Sequence, residues 1–510
     1  MFKHAQLESV KAWINDPAHN ALALHARIQR AIRQLILDGA LPVGKALPAS
    51  RPLAQSLGVS RDTVESAYSQ LHAEGFIERR IGSGSFVSQR ARCLPLRKRQ
   101  RPAHNEAPVQ LSRRGTAILH SGGVHNFQSP RPFAPGVAET RHFPLAIWEK
   151  LERQVYREYG TRALEHSEPQ GMAPLRRAIA DYLNLERGAQ ASAERILILT
   201  SSQQALGLCA QVLMDAGDKV LVEDPLYQGT RKAVTAAGLE CVPVPVDAHG
   251  LQVDAMADLA PEARALFLTP SHQYPTGATL SLDRRLLAIE WARQQRAWII
   301  EDDYDSEFHY AGRPTACVQG LDPHERTLYI GTFTKSLFAG LRIGYLLLPP
   351  QLVAPMTAAR TLQDGHNASI TQLTLARFME GGHFNAHVRA MRGLYAERRD
   401  VLADLVQRHL AAFLVPQIPA GGLQMPCHFV QALPEDAVVR AARGVGIDLL
   451  GLGSLYALAR NDVGLLMGFA AQTTAEMKAA VVKLEKVFAS LASAGRSRRQ
   501  VVLHETNCGK

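Results

Sequence analysis

The sequence predicts a multidomain protein in which a small, mostly α-helical unit precedes a larger α/β unit. Apolar residues recur at helical spacing over residues 20 to 89, and a run rich in arginine and lysine follows. From about residue 116 onward, short β-branched runs alternate with longer helical segments, as in a sheet with crossover helices. We therefore divide the chain into an N-terminal extension (1–19), the small unit (20–89), a basic linker (90–115), the large unit (116–490) and a disordered tail (491–510).

The composition is that of a globular protein with a basic charge balance. The 510 residues are 46% hydrophobic and 20% charged, and the formal net charge is +10, which suits a polyanionic partner. The six cysteines are scattered without a C-x-x-C pair, and neither a signal peptide nor an apolar run of about 18 residues is present. We expect a reduced, cytoplasmic protein with no membrane partner and no metal site.

The linker is recognised by its charge. Between residues 90 and 101 it has no acidic residue and six basic ones: Arg90, Arg92, Arg97, Lys98, Arg99 and Arg101. Such a run is usually a solvated tether, although it can also contact phosphates.

Three helices are predicted in the small unit. The first covers ALALHARIQRAIRQLILDG and stops at Gly39. Ser50 is the predicted cap of a second, short helix with Gly58 just past its end, and Ser60 is the predicted cap of a third helix that begins at Arg61. Because the GVS turn separates the last two helices, the pattern indicates a helix-turn-helix.

The third helix has one apolar face, which is formed by Val64, Ala67, Tyr68 and Leu71. This face is expected in the core, so Arg61 at the opposite, exposed N-terminal end is available to a major groove. The segments FIERR and SFVSQ then flank Ile81-Gly82-Ser83-Gly84, and they predict a glycine-tipped hairpin whose backbone can approach phosphate closely.

Four ordered motifs of this unit resemble the GntR winged helix-turn-helix. They are LPASRPLA (47–54), GVSRDTV (58–64), AYSQLHAEGFI (67–77) and RIGSGSFV (80–87). The resemblance implies double-stranded DNA as a partner, with contacts from Arg51, Ser60, Arg61, Thr63 and Gly82. The alternative is that these residues are caps and surface charges of an inert helical domain.

In the large unit, the runs RILILT, KVLVE, RALFLT, AWIIED and TLYIGT predict a parallel sheet. Lys335 follows the last of these runs, in GTFTKSLFAGLRIGY, which resembles the lysine motif of class I aminotransferases. The resemblance implies a pyridoxal-phosphate-dependent transferase of fold type I, aminotransferase class I-like, with pyridoxal 5'-phosphate as cofactor and Lys335 as the Schiff-base lysine.

The other groups that this cofactor requires also have candidates in the sequence. Asp302, at the end of WIIEDDY, is expected to pair with the ring nitrogen, and Tyr304 with the phenolic oxygen. Tyr227 in EDPLY is expected to stack on the ring. The phosphate is assigned to the backbone amides of Ser202 and Gln203 at a helix N-terminus, together with Thr332 and Arg342.

Taken together, the two units resemble the MocR subfamily of GntR regulators over residues 20 to 480. Some positions depart from the patterns of the family or of catalytic aminotransferases. Ser201 and Ala339 replace the common glycine and proline near the phosphate cup, and His166 replaces a tyrosine that crosses the aminotransferase dimer. In SHQYPTG (271–277), Tyr274 stands where catalytic aminotransferases have asparagine, and the histidine and glutamine beside it are either functional or ordinary turn residues.

The resemblance implies a regulator that senses pyridoxal phosphate or an amino compound and forms a head-to-tail homodimer. Two alternatives stay open: a working aminotransferase that carries a DNA-binding domain, and a scaffold with a dead pocket. The intact DNA-binding motifs and the set of Lys335, Asp302 and Tyr304 favour the regulator, with any transaminase activity residual. Leu466 replaces the arginine that holds the substrate carboxylate in relatives, so we expect ordinary α-amino acids to bind weakly. Arg460 is the alternative clamp.

Overall fold

The structure is a computed structural model that describes residues 4–80, 82–93, 110–122, 131–310, 315–431, 433–458, 460–461 and 463–507. The chain divides into two compact units, Met1–Gln110 and Leu111–Lys510. Each unit has its own hydrophobic core. Linker residues 94–109, with Arg97, Lys98, Arg99 and Arg101, and Ile81 of the predicted wing lie outside the described residues.

Within its described residues, the first unit contains four α-helices and a two-stranded antiparallel sheet. The elements are α1 (His4–Asn15), α2 (Leu24–Leu37), α3 (Ser50–Leu57), α4 (Arg61–Ala73), β1 (Ile77–Arg80) and β2 (Gly84–Val87). The strands pair from Ile77 with Val87 to Arg80 with Gly84, which gives the hairpin predicted as a wing. The predicted apolar face of α4 lies in the core.

Helix ends in this unit agree with the sequence at two positions and differ at one. The Ser60 hydroxyl accepts a hydrogen bond from the Thr63 amide at 3.2 Å, and Gly58 ends α3 in the left-handed conformation, with φ +68°. The prediction that Ser50 caps α3 is wrong: Ala49 is the cap residue, and Ser50 is the first helical residue and buried. Ser50 is already a helical residue, so its side chain is not at the N-cap position from which a hydroxyl accepts from the free amides of the first turn.

The N-terminal extension is part of the first unit. In α1, Val10 and Ile14 are buried in the same cluster as Ile28 of α2. The predicted first helix, α2, is therefore preceded by another helix, α1, that packs into the same core.

The second unit is built on an eight-stranded sheet with the order β3-β10-β9-β8-β7-β4-β5-β6. Its strands are β3 (Ile196–Leu199), β4 (Lys219–Asp224), β5 (Glu240–Asp247), β6 (Gly250–Leu251), β7 (Ala265–Leu268), β8 (Trp298–Asp303), β9 (Thr327–Thr332) and β10 (Gly344–Leu347). Strands β3, β7 and β9 are buried along their whole length, as is typical of a sheet covered on both faces.

The predicted parallel sheet is mixed in two places. Strand β10 runs antiparallel to both neighbours, β3 and β9, and β6 runs antiparallel to β5. Only residues 333–343 join β9 to β10, and parallel strands need a longer crossover. The antiparallel direction follows from this short connection.

A smaller antiparallel sheet has the order β11-β12-β14-β13. Its strands are β11 (Leu414–Pro416), β12 (Gln424–Phe429), β13 (Leu450–Gly451) and β14 (Gly464–Gly468). The helices of the second unit are α5 (Arg113–Ser121), α6 (Leu145–Tyr159), α7 (Ala173–Arg187), α8 (Ser202–Val212), α9 (Gln228–Ala237), α10 (Met256–Leu259), α11 (Leu282–Gln295), α12 (Val318–Leu321), α13 (Phe333–Ser336), α14 (Pro350–Asp364), α15 (Ser369–Glu380), α16 (His383–His409), α17 (Glu435–Gly444) and α18 (Thr474–Asn507).

The backbone of α18 corrects the prediction of a disordered tail from residue 491, because the helix continues to Asn507. No proline interrupts this segment, and proline is the residue that ends a helix most strongly. Within the part of the chain that the structure describes, no helix has the length and apolar character needed to cross a membrane.

Candidate cofactor site and nucleic-acid interface

The candidate cofactor residues lie at one edge of the eight-stranded sheet. Strands β3, β4, β7, β8 and β9 point in the same direction, so their carboxyl ends share this edge, where open α/β sheets bind ligands. Tyr227 follows β4, Asp302 and Tyr304 lie at and just after the end of β8, and Lys335 follows β9. The topology therefore brings together residues that are far apart in the sequence.

Lys335 lies in α13, directly after β9. Its Nζ donates a hydrogen bond to the Gly136 carbonyl oxygen at 2.6 Å. Burial lowers the pKa of Lys335, and the carboxylates of Asp305 and Asp302 oppose this shift in part. A lowered pKa increases the neutral fraction of the amine, which is the form that reacts with an aldehyde.

Asp302 and Asp303 have different surroundings. Asp303 is engaged, because it accepts hydrogen bonds from Arg187 Nε at 2.9 Å, from the Ser306 hydroxyl at 2.8 Å and from Tyr329. Asp302 is 5% exposed, and its Oδ1 has no hydrogen-bond partner among the described residues. Burial raises the pKa of Asp302 to about 7, with Asp303 and Asp305 adding to the shift. Asp302 is therefore the carboxyl group that can still accept a donor.

Three tyrosines lie side by side above this edge. The rings of Tyr227 and Tyr274 are 5.2 Å apart at 75°, and those of Tyr274 and Tyr304 are 6.0 Å apart at 75°. Tyr274, which replaces the asparagine of catalytic aminotransferases, thus packs between the predicted stacking residue and the predicted phenolic partner. Edge-to-face packing of this kind fixes the ring positions.

The predicted phosphate cup lies at one end of the same edge. Gly344 at the start of β10 pairs with both Leu199 and Thr332, so the segments that follow β3 and β9 lie on either side of it. Helix α8 begins at Ser202, and the Ser201 hydroxyl accepts a hydrogen bond from the Gln204 amide at 3.2 Å. Ser201, in the glycine position of the family, is thus compatible with a helix N-terminus that faces the cup.

The backbone of Arg342 has an unusual conformation, and its carbonyl group is hydrogen-bonded. It has φ +53°, a conformation that non-glycine residues rarely adopt, and its carbonyl oxygen accepts a 3.4 Å hydrogen bond from Asn367 Nδ2. Its side chain is exposed.

Further groups of this site were not assigned from the sequence. The carbonyl of Gly136 faces Lys335, and Gln424 Oε1 lies near the same glycine, 3.5 Å from where a Cβ on it would be. His272 and Asp305 lie beside Tyr304. The SHQYPTG motif drew attention to His272. Gly136 and Gln424 come from distant segments, and no local sequence pattern predicts their place in the site.

The described residues fit pyridoxal phosphate. Asp302 Oδ1, Gln203 Oε1 and Gln424 Oε1 are buried without a hydrogen-bond partner in the described chain, and such atoms are costly unless a ligand satisfies them. Asp302 offers an acceptor to a protonated ring nitrogen, and Lys335 offers an amine. When bound, this cofactor supplies an aldehyde that reacts with amines and a ring that withdraws electrons.

Leu466, in the position of the carboxylate-binding arginine, lies in an apolar cluster. It is fully buried on β14 with Leu452 and Leu455, and Tyr274 packs against this cluster. Arg460 is exposed, and its guanidinium lies 5.7 Å from the Tyr456 ring centre. The cluster therefore presents carbon rather than a cation beside Tyr274.

In the first unit, the predicted DNA contacts lie at two helix beginnings and on the hairpin. Arg51 and Arg61 are exposed in the first turns of α3 and α4, and Ser60 and Thr63 lie at the capped end of α4. No ion pair of Arg51 or Arg61 occurs within the described residues. Gly82 has φ +75°, so glycine suits this turn.

The two units together define a DNA-binding regulator whose larger unit has the fold of a pyridoxal-phosphate-dependent aminotransferase. Residues 24–87 match the family model described as bacterial regulatory proteins, gntR family, and residues 138–425 match the model for aminotransferase class I and II. The latter match covers more than half of the chain.

Two curated regulators match this chain over most of its length. The chain is 34% identical to the probable rhizopine catabolism regulatory protein MocR of Rhizobium meliloti, covering 92% of this chain and 95% of that protein. It is 31% identical to the pyridoxine biosynthesis transcriptional regulator PdxR of Corynebacterium glutamicum, over 88% and 93% of the two chains. The chain therefore belongs to the MocR family of GntR transcriptional regulators.

Solved structures support the fold of the large unit. The chain resembles a kynurenine aminotransferase of Pyrococcus horikoshii, with a TM-score of 0.66 and 23% identity over 75% of this chain and 95% of that one. It also resembles the α-aminoadipate aminotransferase LysN of Thermus thermophilus, with a TM-score of 0.66 and 24% identity over 76% and 96%. Pyridoxal phosphate is thus the cofactor that the family, the fold and the residues all support.

Proposed function

We propose that this regulator senses pyridoxal phosphate at Lys335 and converts occupancy of the site into a change of DNA affinity. The observation that carries the proposal is the buried Asp302, whose Oδ1 has no hydrogen-bond partner among the described residues, near a half-buried Lys335. The same chain carries exposed arginines on a helix-turn-helix. A change in DNA affinity is therefore the response that we expect when the ligand binds. We place the protein in the cytoplasm, where its DNA target would lie.

The proposed site residues are those expected from the sequence. Lys335 holds the cofactor, Asp302 pairs with its ring nitrogen, Tyr304 with its phenolic oxygen, and Tyr227 stacks on the ring. The phosphate is assigned to Ser202, Gln203, Thr332 and Arg342, and DNA contacts to Arg51, Ser60, Arg61, Thr63 and Gly82. The common carboxyl edge of the sheet and the exposed arginines in the first turns of α3 and α4 support these roles.

The proposed effector is pyridoxal phosphate itself or an amine without an α-carboxylate. The apolar cluster of Leu452, Leu455 and Leu466 supports this restriction, because a buried carboxylate without a cationic partner costs several kcal/mol. The name of the Corynebacterium relative links that protein to pyridoxine biosynthesis, and vitamin-linked sensing is consistent with the proposed effector.

A head-to-tail homodimer is the proposed assembly. Leu164 and Leu362 are 70% and 89% exposed on the large unit, which makes them candidates for contact with a partner subunit. Sedimentation of the wild type and of Leu362→Glu tests the assembly: a dimer weakened by the charge supports it, and a wild-type monomer rules it out.

Absorption spectroscopy with added pyridoxal phosphate tests the sensing function. The wild type is expected to develop the absorption band of lysine-linked cofactor, and Lys335→Ala is expected to lack it. Absence of the band in the wild type would contradict the proposal. Turnover assays with amino donors address the alternative, an active aminotransferase: sustained turnover would favour that enzyme over a sensor.

A further inference from the structure

His272, Asp305 and Tyr304 form one hydrogen-bonded cluster beside the cofactor site. His272 Nδ1 lies 3.2 Å from Asp305 Oδ2 and 3.2 Å from the Tyr304 hydroxyl oxygen. His272 is 8% exposed and Asp305 is 2% exposed. The imidazole ring therefore links a buried carboxylate to the tyrosine assigned to the phenolic oxygen of the cofactor.

The donors in this cluster can be assigned from the geometry. The Tyr304 hydroxyl donates to the His272 carbonyl oxygen at 3.1 Å, so its oxygen is left to accept from Nδ1. A proton on Nδ1 satisfies the Asp305 carboxylate and the Tyr304 oxygen together, whereas a bare Nδ1 would face the carboxylate with two lone pairs opposed. His272 thus carries its proton on Nδ1.

Two glycines allow the ring to take this position. A Cβ on Gly422, which has φ +80°, would lie 2.2 Å from His272 Cε1 and 2.7 Å from Asp305 Oδ2. A Cβ on Gly277 would lie 3.1 Å from His272 Nε2. Because the glycines pack so closely, the ring has little freedom to turn away from Tyr304.

We propose that His272 and Asp305 are positioning residues that act through Tyr304, holding its hydroxyl in place and strengthening it as a hydrogen-bond donor to the phenolic oxygen of pyridoxal phosphate. The inference rests on the proposed role of Tyr304. With the ligand present, the hydroxyl turns its proton toward the phenolic oxygen while Nδ1 continues to donate to the tyrosine oxygen. Hydrogen bonds in such a chain reinforce one another.

Several charged or titratable groups face this cluster. Asp303 acts on His272, and Lys335 acts on Asp305. Asp302, Tyr274 and Glu223 act on Tyr304. Burial opposes protonation of His272, but Asp305 outweighs it and raises the pKa of the histidine. The cluster is therefore sensitive to charge, and a spectroscopic pH titration is a suitable test.

The experiment measures the pH midpoint of the absorption of pyridoxal phosphate bound to the full-length protein. Removing the Nδ1 donor of His272 weakens the Tyr304 hydroxyl as a donor to the phenolic oxygen, so His272→Leu is expected to raise the midpoint by up to about one pH unit, the equivalent of one hydrogen bond to a charged group. Tyr304→Phe is expected to shift it in the same direction. His249→Leu, at an exposed turn, is the matched control and is expected to leave the midpoint unchanged.

A double-mutant cycle separates positioning from simple electrostatics. If His272 acts through the tyrosine, His272→Leu produces no further shift in a Tyr304→Phe background. A full shift in that background, or no shift in either, would overturn the relay while leaving cofactor binding at Lys335 intact. Loss of the cofactor band in the wild type would instead contradict the proposed function.

Nitrogen NMR of histidine-labelled wild-type protein provides a measurement that does not depend on folding of the variants. The relay predicts a proton on Nδ1 of His272. A neutral ring protonated at Nε2 alone would contradict it.

Discussion

Asp302 and Asp303 are neighbours at the end of β8, but only Asp303 has its partners within the protein. Alternation along a strand sends adjacent side chains to opposite faces, which is why the sequence favoured Asp302 over Asp303 for the side shared with Tyr304. The hydrogen bonds of Asp303 to Arg187, Ser306 and Tyr329 support this choice. They also indicate that replacing Asp303 would lower the stability of the folded protein, which the sequence alone did not reveal.

We predict that Asp302→Asn and Asp303→Asn affect different properties. Asp302→Asn should lower the affinity for pyridoxal phosphate while leaving the fold of the apoprotein intact, because Oδ1 has no partner to lose among the described residues. Asp303→Asn should destabilise the fold by about 3–5 kcal/mol, since it leaves the buried Arg187 without its counter-charge. Cofactor titration and chemical unfolding measure the two effects, and the opposite pattern would exchange the roles of the two aspartates.

The stability of the apoprotein should depend on pH through Asp302. Its pKa is about 7 in the folded state and about 3.9 in an unfolded chain, so the folded state binds the extra proton and loses stability as the pH rises between these values. Asp302→Asn removes this loss. The stability difference between variant and wild type should grow from about pH 4 to about pH 7 and then stay constant. Unfolding at several pH values tests this, and a difference independent of pH would contradict it.

The apolar side chain of Leu466 leads to a prediction about which ligands do not bind. Common α-amino acids should not alter the absorption of the cofactor-loaded protein at micromolar concentrations, because the apolar cluster offers no cation to the carboxylate. Rapid spectral conversion that is lost in Arg460→Ala would instead identify Arg460 as the clamp.

At the scale of the elements, α4 connects stability with DNA contact. Its apolar face is buried, and its capped beginning presents Arg61 to solvent. The sequence predicted this helix well because its periodicity and its cap are local features. The prediction that Ser50 caps α3 was wrong, because only the packed structure shows that this serine is a buried residue inside the helix.

Arg61→Ala should weaken specific DNA binding by about 1–3 kcal/mol if the side chain grips a guanine. Arg30→Ala, an exposed arginine on α2, is the matched control and should have a smaller effect. Binding measured by fluorescence anisotropy on footprinted operator DNA distinguishes them, and equal affinities for Arg61→Ala and the wild type would remove Arg61 from the interface.

At the scale of the whole molecule, the sequence predicted both units and the order of the site motifs, because each motif is a continuous segment next to a strand or helix end. It could not predict what arises from long-range packing. Gly136 and Gln424 approach Lys335 from distant segments, β10 reverses direction, and Tyr274 joins the Leu466 cluster. Such contacts form only when distant segments come together in the folded chain, so no local sequence pattern predicts them.

The link between the two units is the central claim, and the effect of pyridoxal phosphate on DNA affinity tests it most directly. Operator binding should be measured with and without pyridoxal phosphate for the wild type and for Lys335→Ala. We expect the cofactor to change the affinity of the wild type by about fivefold or more, as is typical of allosteric coupling, and to leave Lys335→Ala unchanged. Equal DNA affinity of the wild type with and without the cofactor, under conditions in which its absorption shows the cofactor bound, would contradict the account.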